Sequence, residues 1–330
     1  MSFAVRTVAA EACAWCGKPG ALVHQGLEDR VLSVPGTWSL RSCARCGLSW
    51  LDPQPRLTDI NLLYRGAYMT HTAAPADGVV RSATRRYLSA AYGYHSTGCT
   101  SRAWLRMARP LDDALGGTAC WLPARPGGSL LDIGCGSGAF LARMRSLGWS
   151  VTGVEPDPAA ADLARRTRGL EVAKELSELP GRRFDAITMH HVIEHLSDPR
   201  TVVADLTERL TPGGRLVVVT PNIRSLGRRL FQSHWVHWDP PRHLWMFSTR
   251  ALATLMRATG LKIERQFTTA RYARFVWTAG TRIRASGRVD QHDSSEVLKL
   301  AAMGFQVAEH IAGLVASEVG EELVVIAKRD

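Results

Sequence analysis

The stretch 129-SLLDIGCGSGAFLARMRSLGWSVTGVEPD-157 decides the fold of this chain. It contains a buried strand, a glycine-rich turn, a helix and a second strand, which together begin a βαβ unit. In open α/β sheets a ligand binds beyond the carboxyl ends of the strands. Glycines let the backbone of a turn lie against such a ligand, so this first strand-to-helix turn is where we expect a binding site.

The alternation of strands and helices continues to the end of the chain. Further strands are predicted at "EVAK", "FDAITMHH", "GRLVVVTPN", "KIERQFT" and "ELVVIAKR". Helices are predicted at about 158–168, at about 198–210, and at "TRALATLMRATG" and "EVLKLAAMGFQVAEHIAGLVA", with a long insertion after "KIERQFT". The pattern therefore predicts an α/β fold with a doubly wound, mostly parallel, seven-stranded sheet.

Two carboxylates beside the glycine turn indicate what kind of cofactor binds. Glu155 ends the second strand, nineteen residues after Gly136, where a carboxylate can accept both hydroxyls of a ribose. A nicotinamide enzyme would match the glycine pattern too. Asp132, two residues before the first glycine, instead favours a cofactor with an amino-acid group, because its carboxylate can hold an ammonium.

Four cysteines near the N-terminus are spaced for metal binding. They lie in "CAWCG" and "CARCG", where each CxxC turn aims two thiolates at one point and a glycine follows. The four are Cys13, Cys16, Cys43 and Cys46. Structural zinc sites are often closed tetrahedra of four cysteines, so we predict a zinc ribbon, with redox thiols as the alternative. Cys99, Cys120 and Cys135 lack such spacing and are interpreted as buried thiols.

Three segments follow from these patterns. Residues 1–55 are predicted to form the zinc-ribbon domain, and 56–128 a helical cap that ends in the linker "LPARPGG". Residues 129–330 are predicted to form the cofactor-binding domain.

Charge and hydropathy indicate whether the protein binds nucleic acid or a membrane. A net charge of +11 over 330 residues would ordinarily indicate nucleic acid. Only five of the 41 basic residues are lysine, and the arginine pairs are scattered along the chain, so we expect the charge to belong to solvated surface more than to a nucleic-acid interface. Apolar runs shorter than the roughly 18–20 residues of a membrane span, and a start without a signal-peptide pattern, predict a cytoplasmic protein with no membrane partner.

Several motifs in order carry a family resemblance. "LLDIGCGSG", "VTGVEPD", "FDAITMHHVIEHLSDP", "LTPGGRLVVVTPN" and "EELVVIAKR" resemble the class I S-adenosylmethionine-dependent methyltransferases over about residues 129–330. With the cysteine turns and "PPRHLWMFS", the chain looks like the zinc-ribbon-bearing bacterial methyltransferases of sugars and secondary metabolites. The resemblance implies a Rossmann-like fold and S-adenosylmethionine as cofactor. The implied cofactor-binding residues are Asp132, Gly134, Cys135, Gly136, Glu155, Pro156, Met189 and His190.

The segment "MHHVIEH", residues 189–195, contains the candidates for catalysis. His191, Glu194 and His195 stand at i, i+3 and i+4, so on a helix they share one face. Methyl transfer to a hydroxyl requires an aligned nucleophile and removal of its proton. Two arrangements fit: a histidine acting as general base without a metal, or a divalent ion bound by the three side chains. A purely structural role, bracing the helix, is the third.

Two methyltransferase families bear on this choice. The small-RNA 2′-O-methyltransferases and the ubiquinone-pathway O-methyltransferases bear a metal on an ExxEH stretch at this place. Here His191 replaces the first glutamate, and imidazole suits zinc, iron, manganese or nickel better than magnesium. His243 in "DPPRHLWMF" occupies the place of a further histidine ligand in the small-RNA family, although residues 233–245 could equally form an aromatic lid. The catalytic candidates, and one candidate divalent-metal site, are His191, Glu194, His195 and His243.

The leading prediction for function is methyl transfer to a small-molecule acceptor, by O-methylation of a hydroxyl on a sugar, polyketide, peptide or related scaffold. One alternative is a ribosomal-RNA methyltransferase, because some of these also carry an N-terminal zinc knuckle. However, "MHHV" stands where enzymes that methylate adenine amino groups carry an NPPY-type tetrapeptide. A non-catalytic, cofactor-binding regulator is the remaining alternative.

Overall fold

The computed structural model describes residues 5–64, 80–94, 103–289 and 295–330. Cys99 and parts of the predicted helical cap lie outside these residues. The strands are β1 Thr7–Val8, β2 Ala21–Leu27, β3 Trp38–Ser42, β4 Ser49–Asp52, β5 Gln54–Pro55, β6 Ser129–Ile133, β7 Ser150–Val154, β8 Glu171–Ala173, β9 Phe184–His190, β10 Leu210–Pro221, β11 Trp245–Met246, β12 Lys262–Thr269 and β13 Glu322–Lys328. The helices are α1 Ser82–Tyr92, α2 Arg109–Leu115, α3 Ala139–Ser146, α4 Pro158–Arg168, α5 Pro199–Glu208, α6 Leu226–Phe231, α7 Thr249–Ala258, α8 Ala273–Ser286 and α9 Glu296–Val315. Short 3₁₀ segments lie at Leu57–Tyr64, Ala103–Met107, Gly116–Ala119, Leu176–Glu178, Ile193–His195, Gln232–His234 and Val236–Trp238.

A seven-stranded sheet forms the centre of the protein, in the order β12-β13-β10-β9-β6-β7-β8. The run from β8 to β10 is parallel, whereas β13 is antiparallel to both of its neighbours. Side chains of successive β10 residues point to opposite faces of the sheet. Leu216 and Val218 pack in the core on one face, and Val217 and Val219 pack in the core on the other. Both faces are therefore buried, as in a doubly wound fold, and the predicted fold class is confirmed.

The direction of β13 determines which residues meet at the binding edge. The carboxyl ends of β6, β7, β9 and β10 lie at one edge of the sheet because these strands are parallel. Since β13 runs the other way, its first residue, Glu322, pairs with Pro221 at the end of β10. A glutamate from the last strand thus lies at the same edge as the glycine turn.

Local signals account for both ends of α4. Asp157 caps α4 by accepting a hydrogen bond from the backbone N–H of Ala160, and Gly169 ends it in the left-handed conformation. Two helices were not predicted, the short α6 and the longer α8, which occupies the long insertion. The buried residues Val276, Ala279 and Ile283 of α8 recur at helical spacing, but five arginines between 271 and 288 obscure the apolar pattern.

The N-terminal segment packs into the rest of the chain. Its sheet has the order β11-β4-β3-β2, and β11 comes from beyond residue 129. Cys13, Cys43 and Trp50 belong to the same buried cluster as residues of β6 and β9. The first and third predicted segments therefore share a sheet and a core, while their boundaries as domains stay a prediction.

Within the described residues, the structure contains no helix that is both long enough and apolar enough to cross a membrane. The cytoplasmic location stays a prediction.

Candidate functional site

The glycine turn after β6 is shaped by positions that only glycine fits. Gly134 and Gly138 both have a positive φ, +68° and +76°. A Cβ on Gly134 would lie 2.6 Å from Cγ2 of Val192, and a Cβ on Gly138 would collide with Leu170. The turn therefore presents bare backbone at the carboxyl end of β6.

Glu155 is held in place by the turn that it faces. Its Oε2 accepts a hydrogen bond of 2.8 Å from the backbone N–H of Gly136, and its Oε1 accepts one of 2.9 Å from that of Asp157. Each carboxylate oxygen can accept a second hydrogen bond. The carboxylate is thus oriented beforehand and can accept both hydroxyls of a ribose.

Asp132 lies buried at the end of β6, next to β9. Its Oδ1 accepts a hydrogen bond of 2.6 Å from Thr188 Oγ1. Burial, together with the nearby charge of Glu155, raises the pKa of Asp132 to about 7. A cation placed here would favour the ionised carboxylate, so the site suits a ligand ammonium.

The side chains of three other predicted cofactor residues, Cys135, Pro156 and Met189, lie in different positions around the glycine turn. The side chain of Cys135 packs beneath it against β7, since a Cβ on Gly153 would lie 2.5 Å from its Sγ. Only the backbone of Cys135 is therefore available to a ligand. Pro156 is exposed after β7, and Met189 is fully buried in β9 beside Ile133.

His190 ends β9 and contacts the helical cap. Its Nε2 lies 2.6 Å from Sγ of Cys120, and its ring meets the ring of Phe140 edge to face at 5.1 Å. Burial lowers the pKa of His190 to about 3, and the charge of Arg271 acts in the same direction, so the ring is neutral at pH 7. Cys120, interpreted from the sequence as an ordinary buried thiol, is in contact with this predicted site residue.

The segment "MHHVIEH" does not form the helix that its spacing suggested. β9 ends at His190, and His191 takes a left-handed conformation with φ +51°. Only Ile193–His195 forms a single 3₁₀ turn. The prediction of one shared helical face is therefore wrong, because the left-handed backbone at His191 separates this residue from the 3₁₀ turn that contains Glu194 and His195.

His191 lies between two carboxylates. Its Nδ1 is 3.3 Å from Oε1 of Glu194, and its Nε2 is 3.0 Å from Oε1 of Glu322. Burial alone would lower the pKa of His191, but the two carboxylates hold that pKa well above its usual range. Both ring nitrogens of His191 thus face carboxylates, so His191 is placed to orient Glu194, and neither nitrogen is left to accept a proton or bind a metal.

Glu194, His195 and His243 form a separate group. Each offers one ligand atom, and these atoms lie within 4.8 Å of one another. Nδ1 of His195 donates to the carbonyl oxygen of Arg242 at 3.1 Å, and Nδ1 of His243 donates to that of His237 at 2.7 Å. A carbonyl oxygen only accepts, so Nδ1 carries the hydrogen in each ring and Nε2 is the nitrogen that could bind a metal. Metal-binding histidines typically have this second hydrogen bond.

Glu194 supplies the negative charge of the group. It is fully buried, and its Oε2 accepts a hydrogen bond of 3.0 Å from Thr220 Oγ1. Its Oε1 faces Nδ1 of His191 at 3.3 Å, without hydrogen-bond geometry to any residue that the structure describes. Burial alone would raise the pKa of Glu194, but His191 lowers it to about 2. One carboxylate and two imidazoles suit zinc, iron or manganese, so these three residues could hold a divalent ion without His191.

A buried arginine connects this group to the N-terminal segment. The guanidinium of Arg242 donates to both oxygens of Asp29, at 2.9 and 2.6 Å, and also to Asp239. The carbonyl of Arg242 orients His195, and the next residue is His243. The position of both histidines therefore depends on a carboxylate that lies 213 residues before Arg242 in the chain.

The four predicted zinc ligands meet at one point. Sγ of Cys13 lies 3.5 Å from that of Cys46, and Sγ of Cys16 lies 3.5 Å from that of Cys43. A zinc ion with four thiolates at about 2.3 Å separates them by about 3.8 Å, so the cluster fits this ion. Cys16 and Cys46 also border a cavity of about 510 Å³ that is lined by three arginines. Their positive charges can offset the negative charge of the thiolates. The three arginines of this cavity are Arg45, Arg200 and Arg250.

The predicted aromatic lid is part of the interior. Trp235, Trp238 and Trp245 are at most 4% exposed and belong to buried clusters. The lid interpretation is therefore wrong for these three rings.

Sequence reasoning missed several residues of the site. Glu322 had a weak signal, since two glutamates immediately before an apolar terminal strand are unusual for a buried position. Asp29, Thr188 and Thr220 had none, because each acts through a partner far away in the chain.

The chain is similar to known methyltransferases. Residues 103–266 match the family model of a methyltransferase domain. A mitochondrial ubiquinone biosynthesis O-methyltransferase of Schizosaccharomyces pombe is 36% identical over 32% of this chain and 42% of that protein. One from Cereibacter sphaeroides is 30% identical over 46% of this chain and 68% of that protein. A solved S-adenosylmethionine-dependent methyltransferase from Mesorhizobium loti is 17% identical, with a TM-score of 0.45 and coverage of 66% of this chain and 98% of that one.

The chain belongs to the class I S-adenosylmethionine-dependent methyltransferases. The first two curated relatives are covered over only 42% and 59% of their length. The glycine turn, Asp132 and Glu155 of this methyltransferase gather at the carboxyl ends of β6 and β7, and Met189 and His190 lie beside them at the end of β9.

Proposed function

We propose that this methyltransferase transfers the methyl group of S-adenosylmethionine to a hydroxyl of a small-molecule acceptor. The observation that carries the proposal is the group Glu194, His195 and His243, of which the first two follow the end of β9 beside the glycine turn. A hydroxyl must lose its proton during transfer, and this group can promote that loss. The relatives named as O-methyltransferases support the same chemistry.

In this proposal the cofactor lies across the carboxyl ends of β6, β7 and β9. Asp132 accepts from its ammonium, Glu155 accepts from the ribose hydroxyls, and the backbone of Gly134 to Gly136 lies against it. Met189 and His190 border the transferred methyl group. The support is that Asp132 and Glu155 are each oriented by a neighbour, Thr188 and the turn respectively.

For proton removal we propose the metal-assisted arrangement over a metal-free base. Glu194, His195 and His243 would hold a divalent ion, which when bound lowers the pKa of an acceptor hydroxyl near it. Both imidazoles are held by carbonyl groups at Nδ1, which leaves Nε2 to bind the ion and supports this choice. His191, itself held by Glu322, orients the Glu194 carboxylate.

We propose further that Cys13, Cys16, Cys43 and Cys46 hold a structural zinc ion, and that the acceptor is a sugar or natural-product scaffold. Support for the second point is the resemblance of the whole chain, ribbon included, to methyltransferases of such scaffolds. The ubiquinone relatives make ubiquinone precursors the first acceptors to compare with them.

The test measures methyl transfer directly. Purified protein is incubated with S-adenosylmethionine and a panel of hydroxylated acceptors, and products are examined by mass spectrometry for one added methyl group. Glu194→Gln and His195→Ala should lose roughly 10²–10⁴-fold in turnover while calorimetry shows unchanged cofactor binding. His234→Ala, a histidine outside the group, is the matched control.

Chelation separates the two arrangements. Activity that is lost with a chelator and restored by a divalent ion, while the ribbon zinc remains by elemental analysis, supports the metal. Indifference to chelation supports a histidine base. Full turnover by His195→Ala and His243→Ala would refute both, and transfer to RNA with a steep salt dependence would establish the alternative acceptor.

A further inference from the structure

The outer side of α9 is apolar and uncovered. The buried residues of this helix are Ala302, Phe305 and Glu309, and they face the protein. The opposite side carries seven large apolar side chains that are between 45% and 92% exposed. We call these residues the α9 face: Val297, Leu300, Met303, Val307, Ile311, Leu314 and Val315.

The α9 face is large for a monomer. Its side chains expose on the order of 800 Å² together, whereas the largest apolar patch of a typical monomer is about 300–600 Å². One partner of a standard-size interface contributes about 800 Å², so the area matches what a stable dimer needs. The inner side of α9 is attached through a small cluster, in which Phe305 packs against Ala270 and Ala273.

The spacing along the face is symmetric. Leu300, Met303, Val307, Ile311 and Leu314 are separated by three, four, four and three residues, which keeps them on one stripe of a helix. An interface about a two-fold axis must be complementary to itself. An antiparallel copy turned about an axis at Val307 would place apolar residues opposite apolar residues along the whole stripe.

Charge also favours a second copy over other partners. Between Leu300 and Leu314 the titratable residues are Glu309, which is buried, and His310, whose Nδ1 lies 3.8 Å from Asp113. No counter-charge is therefore required from a partner. A helix that lies on a lipid surface normally has several lysines or arginines on its polar side, whereas α9 has only Lys299.

Small residues at the centre allow close approach. Gly304 has open space where a Cβ would be built, and Ala308 is exposed beside Val307. Two helices can therefore pack near the short end of the usual interaxial distance of about 8–10 Å. We propose that the α9 face packs antiparallel against α9 of a second copy of this chain, which makes the protein a two-fold homodimer.

Sedimentation of the full-length chain tests the proposal. We expect a dimer at about 10 μM, and we expect Val307→Asp, which brings two carboxylates together at the axis, to raise the dimer dissociation constant at least about 100-fold. Met107→Asp changes a side chain that is 81% exposed elsewhere on the protein and should leave the dimer intact. Circular dichroism of each variant verifies that it is folded. A wild-type monomer, or a dimer that Val307→Asp leaves unchanged, overturns the proposal.

Cysteine cross-linking tests the orientation. Val307→Cys should form a disulfide with its own counterpart on mild oxidation, above the wild-type background, because the axis passes through this position. Val297→Cys should not, because ten residues from the axis place the two copies about 30 Å apart. A cross-link at Val297 without one at Val307, or a monomer that binds phosphatidylcholine vesicles through this face, overturns the antiparallel dimer. None of these readouts depends on methyl transfer, so they are independent of the proposed function.

Discussion

Removing the carboxylate of Asp29 should damage a site to which this residue is connected only through Arg242. The Asp29 and Arg242 side chains have no exposed surface, and two hydrogen bonds join them. Asp29 also accepts hydrogen bonds of 2.9 Å from the backbone N–H groups of Val31, Leu32 and Val34. Asp29→Ala therefore leaves a buried guanidinium with one of its two carboxylates and three N–H groups without their acceptor.

The cost follows from burial. Breaking one partner from a fully buried ion pair costs about 3–5 kcal/mol, since the remaining charge stays in a medium of low dielectric constant. If the segment 239–243 shifts to relieve that charge, His195 and His243 move with it. A misplacement of about 1 Å at a catalytic group costs roughly 100-fold in rate. We thus expect a loss of both stability and turnover, with turnover impaired even where the variant is folded.

Two measurements check this expectation. Urea unfolding should show the free energy of unfolding of Asp29→Ala reduced by about 3–5 kcal/mol, and steady-state assays at a temperature where the variant is folded should show the lowered turnover. Glu28→Ala is the matched control: its salt bridge with Arg30 is half exposed, so its removal should cost less than about 1 kcal/mol. An Asp29→Ala variant that unfolds at the wild-type urea concentration and turns over normally would refute the link between the ribbon and the histidines.

Three further predictions follow from the cofactor turn and the cysteines. Affinity for S-adenosylmethionine should rise by up to about tenfold per pH unit as the pH increases toward 7, because burial raises the pKa of Asp132 to about 7 and only its ionised form, present above that pH, holds an ammonium. Calorimetry on Asp132→Asn should show weaker binding that does not depend on pH. A wild-type affinity that does not change with pH would contradict this role of Asp132. Gly138→Ala should weaken cofactor binding and lower the melting temperature, because Gly138 has a positive φ and an added Cβ would collide with Leu170. Gly181→Ala also changes a glycine at positive φ, but one with open space around it, so it should lower stability without affecting cofactor binding. Equal cofactor affinity in the two variants would contradict the role of the glycine turn in binding. Elemental analysis should find one tightly held zinc per chain that Cys16→Ser weakens or removes, and a chain whose ribbon stays folded without metal would exclude a structural role for it.

Much of the cofactor side of the site follows from sequence alone, because its signals are local. Asp132, the glycines and Glu155 lie on one βαβ unit at fixed offsets, and each parallel strand brings its carboxyl end to the same edge. The cysteine turns are local too, since Gly17 and Gly47 close each one by the same 2.9 Å hydrogen bond to a cysteine carbonyl. Short-range geometry of this kind is contained in residue spacing.

Only the tertiary structure decided the arrangement of the histidines. Spacing suggested a helix for "MHHVIEH", but His191 takes a left-handed turn between Glu194 and Glu322, and the latter is 131 residues away. Glu322 is there because β13 is antiparallel, and His243 is there because Arg242 meets Asp29 across 213 residues. Contacts of this range depend on strand order and on the pairing of buried charges, and neither leaves a periodic signal in the chain.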